Sequence, residues 1–265
     1  IGASIGIIDI SFSQHSSYSE NSFTEAEDHQ IESFVYNQHL HVTGEGINFK
    51  IGTILKPVPF IRIGWAYHSK TYTALEENYE TYMNTTGVII DGEELEAFSG
   101  LNYFNYELNT PAKLISSLAL VFAKNGLITF DYEIIDYGSS NLYSNIYNFN
   151  QENQNISDFY STTNNKKVGI EWRINKIGKV LLDNFSLRAG YAVFGSPFND
   201  NLNDGGRKYI SGGVGFQKGP YFFDIAMINS LEEEDYILYR DDGEPQTANL
   251  KNEGQTLIIT CSYKF

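Results

Sequence analysis

One cysteine, Cys261, in 265 residues leaves no partner for a disulfide within the chain. Methionine occurs twice and proline only six times, so neither a Met-rich helical core nor a proline-rich linker is available. No run of about 18 apolar residues occurs, which excludes a membrane-spanning helix. Positive charge is scarce as well. Eighteen Lys and Arg stand against 33 Asp and Glu, a formal net charge of −15, and phosphate contacts require a basic surface, so nucleic acid is excluded as a partner. The chain opens on IGASIGIIDISF with no basic, apolar and small-residue leader. This opening reads as a strand entered partway, and a longer natural polypeptide is expected. Signatures of chemistry are missing too: there is no HExxH, GxSxG, P-loop or CxxC pair. Neither an enzyme nor a cofactor is expected.

What the chain does have is aromatics, 19 Tyr and 18 Phe, together with 23 Gly, a mixture suited to strands and tight turns. The last stretch, QTLIITCSYKF, shows the pattern most clearly. Leu257, Ile259, Cys261, Tyr263 and Phe265 fall on one side of an extended strand, and Ile258, Thr260, Ser262 and Lys264 on the other. An apolar outer face, a polar inner face and aromatics at both interfaces are what a closed transmembrane barrel requires. A mean hydropathy of −0.30 is compatible with that, because only alternate strand residues meet lipid. A terminal Phe on the closing strand also resembles the signal read by the outer-membrane insertion machinery.

Alternation of this kind recurs in about ten segments, most near the length a tilted strand needs to cross a bilayer. The first is Ser4 to Ser13, expected to place Ile8, Ile10 and Phe12 outward and Asp9 and Ser11 inward. Gln14 to Gln30 reads as a loop. The clearest hairpin places Ile47, Phe49, Ile51, Ile61, Ile63, Trp65 and Tyr67 outward around Lys56-Pro57-Val58-Pro59, whose prolines end the strand. Ser69 to Asn109 reads as a long acidic excursion with a strand near Leu101 to Leu108. Lys113 to Phe122 and Leu127 to Tyr137 form the next hairpin, where Asn125-Gly126 marks a tight turn. Gly138 to Asn165 reads as a polar loop. Val168 to Ile174 pairs with Phe185 to Phe194, and Tyr209 to Gln217 with Tyr221 to Asn229. Connections near Lys56, Lys124, Ile177 and Lys218 are short, and those near Glu25, Glu93, Asn150, Asp204 and Glu233 are long and polar. Short turns on one edge and long loops on the other are a property of outer-membrane barrels. The competing reading is a soluble β-sandwich or lipocalin-like barrel. The soluble barrel would have to bury Asp9, Lys50, Arg62, His68, Lys113, Asp131, Glu133, Glu171, Arg173, Arg188 and Asp224 on its inward side, at a large desolvation cost; on the sandwich the same residues would face solvent outside.

The expected fold class is therefore all-β, a transmembrane antiparallel up-and-down β-barrel in the bacterial outer membrane. Residues 1–265 form a single barrel domain lacking its N-terminal part. His39 and His41, two apart on a strand, share a face as metal ligands would, but with no third ligand nearby in sequence they read as ordinary polar strand residues. The acidic runs Glu232-Glu233-Glu234-Asp235 and Asp241-Asp242-Gly243-Glu244 lack EF-hand spacing and read as solvated loop tips, so no metal site is expected.

The segments GINFKIGTILKPVPFIRIGWAYHSKTY, TPAKLISSLALVFAKNGLITFDYEIIDYGSS, LRAGYAVFGSPF and YISGGVGFQKGPYFFDIA, in this order and spacing, resemble the C-terminal barrel of the FadL/TodX family of outer-membrane transporters. The resemblance runs from about Gly44 to Phe265. It implies a barrel of about fourteen strands, plugged by an N-terminal hatch and carrying long-chain fatty acids or aromatic hydrocarbons by passive diffusion. The hatch and about the first four strands of that pattern are not in this sequence, which puts a hatch-gated route in doubt. Partners implied are membrane lipid and lipopolysaccharide outside, a hydrophobic small molecule inside, and proteins at the long loops. Arg62, Arg173 and Arg188 are candidates for a carboxylate head group. Phe60, Ile135 and Phe194, with Ile54, Ile115, Val121 and Ile228, are candidates for apolar lumen patches. The alternative role for the arginines is pairing with Asp131, Glu133 and Glu171. The alternative function is a non-transporting barrel that docks a larger surface or secretion complex through its acidic loops.

Overall fold

A computed structural model describes residues 1–21, 32–90, 93–177, 182–199, 206–241 and 244–264. Its strands are β1 (Gly2–Asn21), β2 (Ser33–Val58), β3 (Ile61–His68), β4 (Tyr72–Ile90), β5 (Glu93–Phe98), β6 (Asn102–Asn109), β7 (Lys113–Phe122), β8 (Gly126–Asp136), β9 (Asn141–Tyr143), β10 (Thr162–Ile177), β11 (Leu182–Phe194), β12 (Arg207–Lys218), β13 (Tyr221–Asp241) and β14 (Glu244–Tyr263). A 3₁₀ turn (Tyr137–Ser139) and one helix, α1 (Asn150–Phe159), are the only helical pieces among the described residues. All pairings are antiparallel and join into a single 14-stranded sheet. No helix among the described residues is long and apolar enough to cross a membrane.

The sheet branches. One wall runs β1-β2-β3-β7-β8-β10-β11-β12-β13-β14, which are the ten segments expected from the alternation. The branch, β4 with β5, β6 and β9, springs from β2. The C-terminal half of β2 pairs with β3, from Lys50↔His68 to Val58↔Ile61, and its N-terminal half pairs with β4, from Ile47↔Tyr72 to Ser33↔Thr86. Among the described residues β1 pairs with β2 alone and β14 with β13 alone.

Because neighbours in register share a side, the sidedness of one strand propagates across the wall. Phe49 is level with Ile5, Trp65 with Ser116, Leu118 with Phe130, Phe130 with Val168, Trp172 with Leu187, Phe216 with Phe223 and Phe223 with Cys261. This side is apolar and exposed: Trp65, Phe130 and Phe223 are 44%, 44% and 38% exposed. Few apolar side chains are buried anywhere, only Val42, Leu75 and Ile135 among the described residues. The molecule exposes 18620 Å², against roughly 12,000 Å² from the usual size scaling for a compact soluble protein of its mass. A sandwich would bury its aromatic face between two sheets. Here that face lies outside, as hydrocarbon contact demands, and the fold is a transmembrane β-barrel.

Several expectations need correction. In β1, Ile5 and Ile7 are the outward residues, level with Phe49 and Ile47, whereas Ile8, Ile10 and Phe12 face the lumen and Asp9 faces out beside Glu45. The run Ile5 to Ile10 has apolar residues at both parities, so alternation alone misassigns it. β1 continues to Asn21, so the expected loop begins later, and residues 22–31 lie outside the described residues. The excursion from Ser69 to Asn109 is mostly strand, β4 to β6. Glu233 is no loop residue: it sits in β13 opposite Lys251. The turn before β8 is as expected, but its left-handed residues are Ala123 (φ 49°) and Lys124 (φ 62°) rather than Asn125-Gly126.

Candidate functional site

The lumen side carries almost all the charges expected there: Lys50, Arg62, His68, Lys113, Asp131, Glu133, Glu171, Arg173, Arg188 and Asp224. They divide into two zones. On β10 to β13 the charges neutralise one another. Arg173 Nε donates to Glu171 Oε1 at 2.5 Å and Arg188 Nε to Glu171 Oε2 at 2.6 Å, while Arg188 Nη1 reaches Asp224 Oδ1. Arg188 is on β11 and Asp224 on β13, so the guanidinium crosses β12, where Gly215 presents no side chain to block it. Asp131 accepts from Ser117 at 2.5 Å and Glu133 from Asn165 at 2.7 Å. Arg173 and Arg188 thus brace the wall through Glu171, one of the partners named for that role, and through Asp224 rather than Asp131 or Glu133.

On the lumen side of β2, β3 and β7, Lys50, Lys113 and Arg62 are unpaired among the described residues. Lys50, His68 and Lys113 occupy one level across the three strands, and Arg62 lies six residues nearer the short-turn edge. Among the described residues the side chains of both lysines and of Arg62 make no hydrogen bond or ion pair. The level continues through Ile135 to Thr163.

The apolar candidates do not converge. Phe60 sits in the turn at the short-turn edge and is 55% exposed, whereas Phe194 lies near the opposite end against Tyr209 (ring centroids 5.3 Å apart), under Lys167 Nζ at 5.1 Å from its ring centroid. Ile135 faces inward but is only 2% exposed, so it offers no lining surface. At its level, Thr163 Oγ1 donates to the Ser196 carbonyl, and nearby the Gly195 amide donates to Asn165, folding residues 195–199 over that end of β10.

Sequence reasoning missed a continuous apolar strip on the lumen side of β1, β2 and the branch. Ile10 is level with Gly44 and Leu75, and Phe12 with Val42. A side chain on Gly44 would overlap the Ala74 carbonyl oxygen and stand 2.7 Å from Leu75 Cδ2, so the glycine is what lets β4 approach here with Leu75 on the strip. Leu75 is in turn level with Tyr106. Tyr106 and Phe104 (centroids 5.7 Å apart) join Tyr147 and Phe149 in a four-ring cluster before α1, with Tyr147 and Phe149 4.8 Å apart. Tyr106 donates to Glu77 Oε2 at 3.1 Å, and burial, with the Glu77 charge beside it, pushes its hydroxyl up to about 12. The parity of Ile8, Ile10 and Phe12 is the signal that would have located the strip.

No protein-family model and no curated protein matches the sequence. Among solved structures, the CymD monoaromatic hydrocarbon channel is similar over 98% of this chain and 73% of its own length, at 14% identity and a TM-score of 0.50. A Pseudomonas aeruginosa FadL homologue is similar over 98% of this chain and 68% of its own, at 14% identity and a TM-score of 0.44. With an exposed apolar face, a charged interior and a backbone like that of the first channel, the chain has the β-barrel fold of the FadL-type outer-membrane channels.

Proposed function

We propose that this chain forms the wall of an outer-membrane channel that passes small hydrophobic molecules by passive diffusion, and that its unpaired lumen cations favour those with an acidic head group. The observation that carries this reading is the lumen-side apolar run Ile8-Ile10-Phe12 of β1, level with the buried Val42 and Leu75, which lies between the aromatic cluster and the level of Lys50 and Lys113. A long apolar molecule gains from the strip by burying its chain. A carboxylate gains about tenfold in affinity from one charge-assisted hydrogen bond to an otherwise unpaired ammonium. Of the three arginines, Arg62 alone retains its proposed ligand role, because Arg173 and Arg188 already hold carboxylates. Membrane lipid and lipopolysaccharide are the proposed partners of the outer face. The docking alternative loses one of its acidic loops, since residues around Glu233 are paired strand.

Uptake into proteoliposomes of a long-chain fatty acid and of an uncharged aromatic hydrocarbon tests the reading. Changing Lys50 and Lys113 together to Ala is expected to lower fatty-acid uptake about tenfold and leave hydrocarbon uptake unchanged. Phe12→Asp is expected to slow both. Uptake of neither compound above empty liposomes would end the transport reading.

A further inference from the structure

The outer side of β1 and β2 is apolar only as far as Ile7 and Ile47; the facing pairs from Asp9 and Glu45 to Ser17 and Asn37 are polar. Beyond that boundary, His15 on β1, His39 on β2 and Glu80 on β4 stand directly opposite one another. His41 lies two residues from His39 on the same side, between Ser13 and Asn78. His15 Nδ1 and His39 Nε2 are 2.7 Å apart, with the rings edge to face and their centroids at 4.3 Å. The other nitrogen of His39, Nδ1, faces Glu80 Oε1 at 3.7 Å, and His41 Nδ1 is bonded to Ser13 Oγ at 2.7 Å. These side chains line a shallow cavity of about 380 Å³ that opens to solvent, with Leu101 as part of its wall.

Two imidazole nitrogens pointed at each other share one proton, and a metal ion can replace it. Metal–nitrogen bonds of about 2.0–2.1 Å in a tetrahedral site set the nitrogens roughly 3.3 Å apart, a change that exposed side chains make by small rotations. A carboxylate behind His39 is the arrangement that fixes the tautomer and orientation of a ligating histidine. Ser13 holds Nδ1 of His41 in the same manner, which leaves its Nε2 as the remaining donor on that side. Imidazoles without thiolate suit Zn²⁺, Cu²⁺ or Ni²⁺ rather than Ca²⁺ or Mg²⁺. Among the described residues no three His, Cys, Asp or Glu side chains are already gathered around one point; His15 and His39 are the preset pair, and His41 swings in.

We propose that His15 and His39, joined by His41, bind one divalent transition-metal ion on the outer rim, tying β1 to β2 beyond the apolar belt. The third ligand that the His39-His41 spacing lacks in sequence comes from a neighbouring strand. Isothermal titration of the full chain, purified in detergent without a histidine tag, with ZnCl₂ at neutral pH tests it. One ion per chain is expected for the unmodified protein. His15→Ala and His39→Ala are each expected to weaken binding at least tenfold, His41→Ala severalfold, and Ser17→Ala, one position further along the same face, not at all. Circular dichroism of each variant confirms that the strands are intact. No saturable binding by the unmodified chain, or equal binding by the His15 and His39 variants, would overturn the proposal.

Discussion

A Cβ on residue 215 would overlap Asp224 Oδ1 and stand 3.0 Å from Arg188 Nη1, so the ion pair that bridges β11 and β13 depends on a glycine in the strand between them. Gly215→Val is therefore expected to break that pair while leaving Arg188 with Glu171. Arg188 is 42% exposed, so solvent screens the interaction and the expected loss is only about 1 kcal/mol, read from the urea midpoint of the refolded barrel. The same substitution in an Asp224→Ala background should cost measurably less, because the pair is already gone. Gly212→Ala, whose new methyl would meet nothing closer than 4.0 Å, should leave the midpoint unchanged. At this scale the sequence told which side the arginines occupy and named Glu171 as a partner, but not Asp224. Glu171 and Arg173 are two apart on one strand and share a face by parity; the reach from Arg188 on β11 to Asp224 on β13 is something no local pattern relates.

Strands that cross lipid are legible because one side must be apolar and the other need not be, and the hairpin of β2 with β3 and that of β7 with β8 were expected with the correct faces. Strands that rise beyond the membrane have water on both sides, so nothing imposes alternation on them. That is why the end of β1, with His15, Ser16 and Ser17, and most of the stretch from Tyr72 to Asn109 read as loop, the strand expected near Leu101 to Leu108 excepted. Within the belt, neighbouring positions should respond in opposite ways to the same charge. Phe130→Lys puts an ammonium against lipid and is expected to cost about 2–4 kcal/mol. Thr129→Lys turns it into the lumen and should cost a small fraction of that, both measured by reversible unfolding in lipid vesicles. Equal losses at the two positions would contradict the assigned faces.

For the molecule as a whole, β1 and β14 run antiparallel with one side of each unpaired among the described residues. The expectation that this wall belongs to a wider barrel predicts that the two edges are not neighbours. Cys261 on β14 and Ile5 on β1 both face outward, and a disulfide needs Cβ atoms about 3.5–4.5 Å apart. Ile5→Cys should therefore stay reduced under mild oxidation, as judged by gel mobility, whereas efficient cross-linking would mean that ten strands close by themselves. The fork in β2 bears on how such a molecule can change. One uninterrupted strand dictates sidedness to two separate surfaces, so a single-residue insertion between Ile47 and Lys50 would turn one of them inside out relative to the other. Length changes in that stretch should be tolerated only in pairs, which makes the fork the least editable span of the chain.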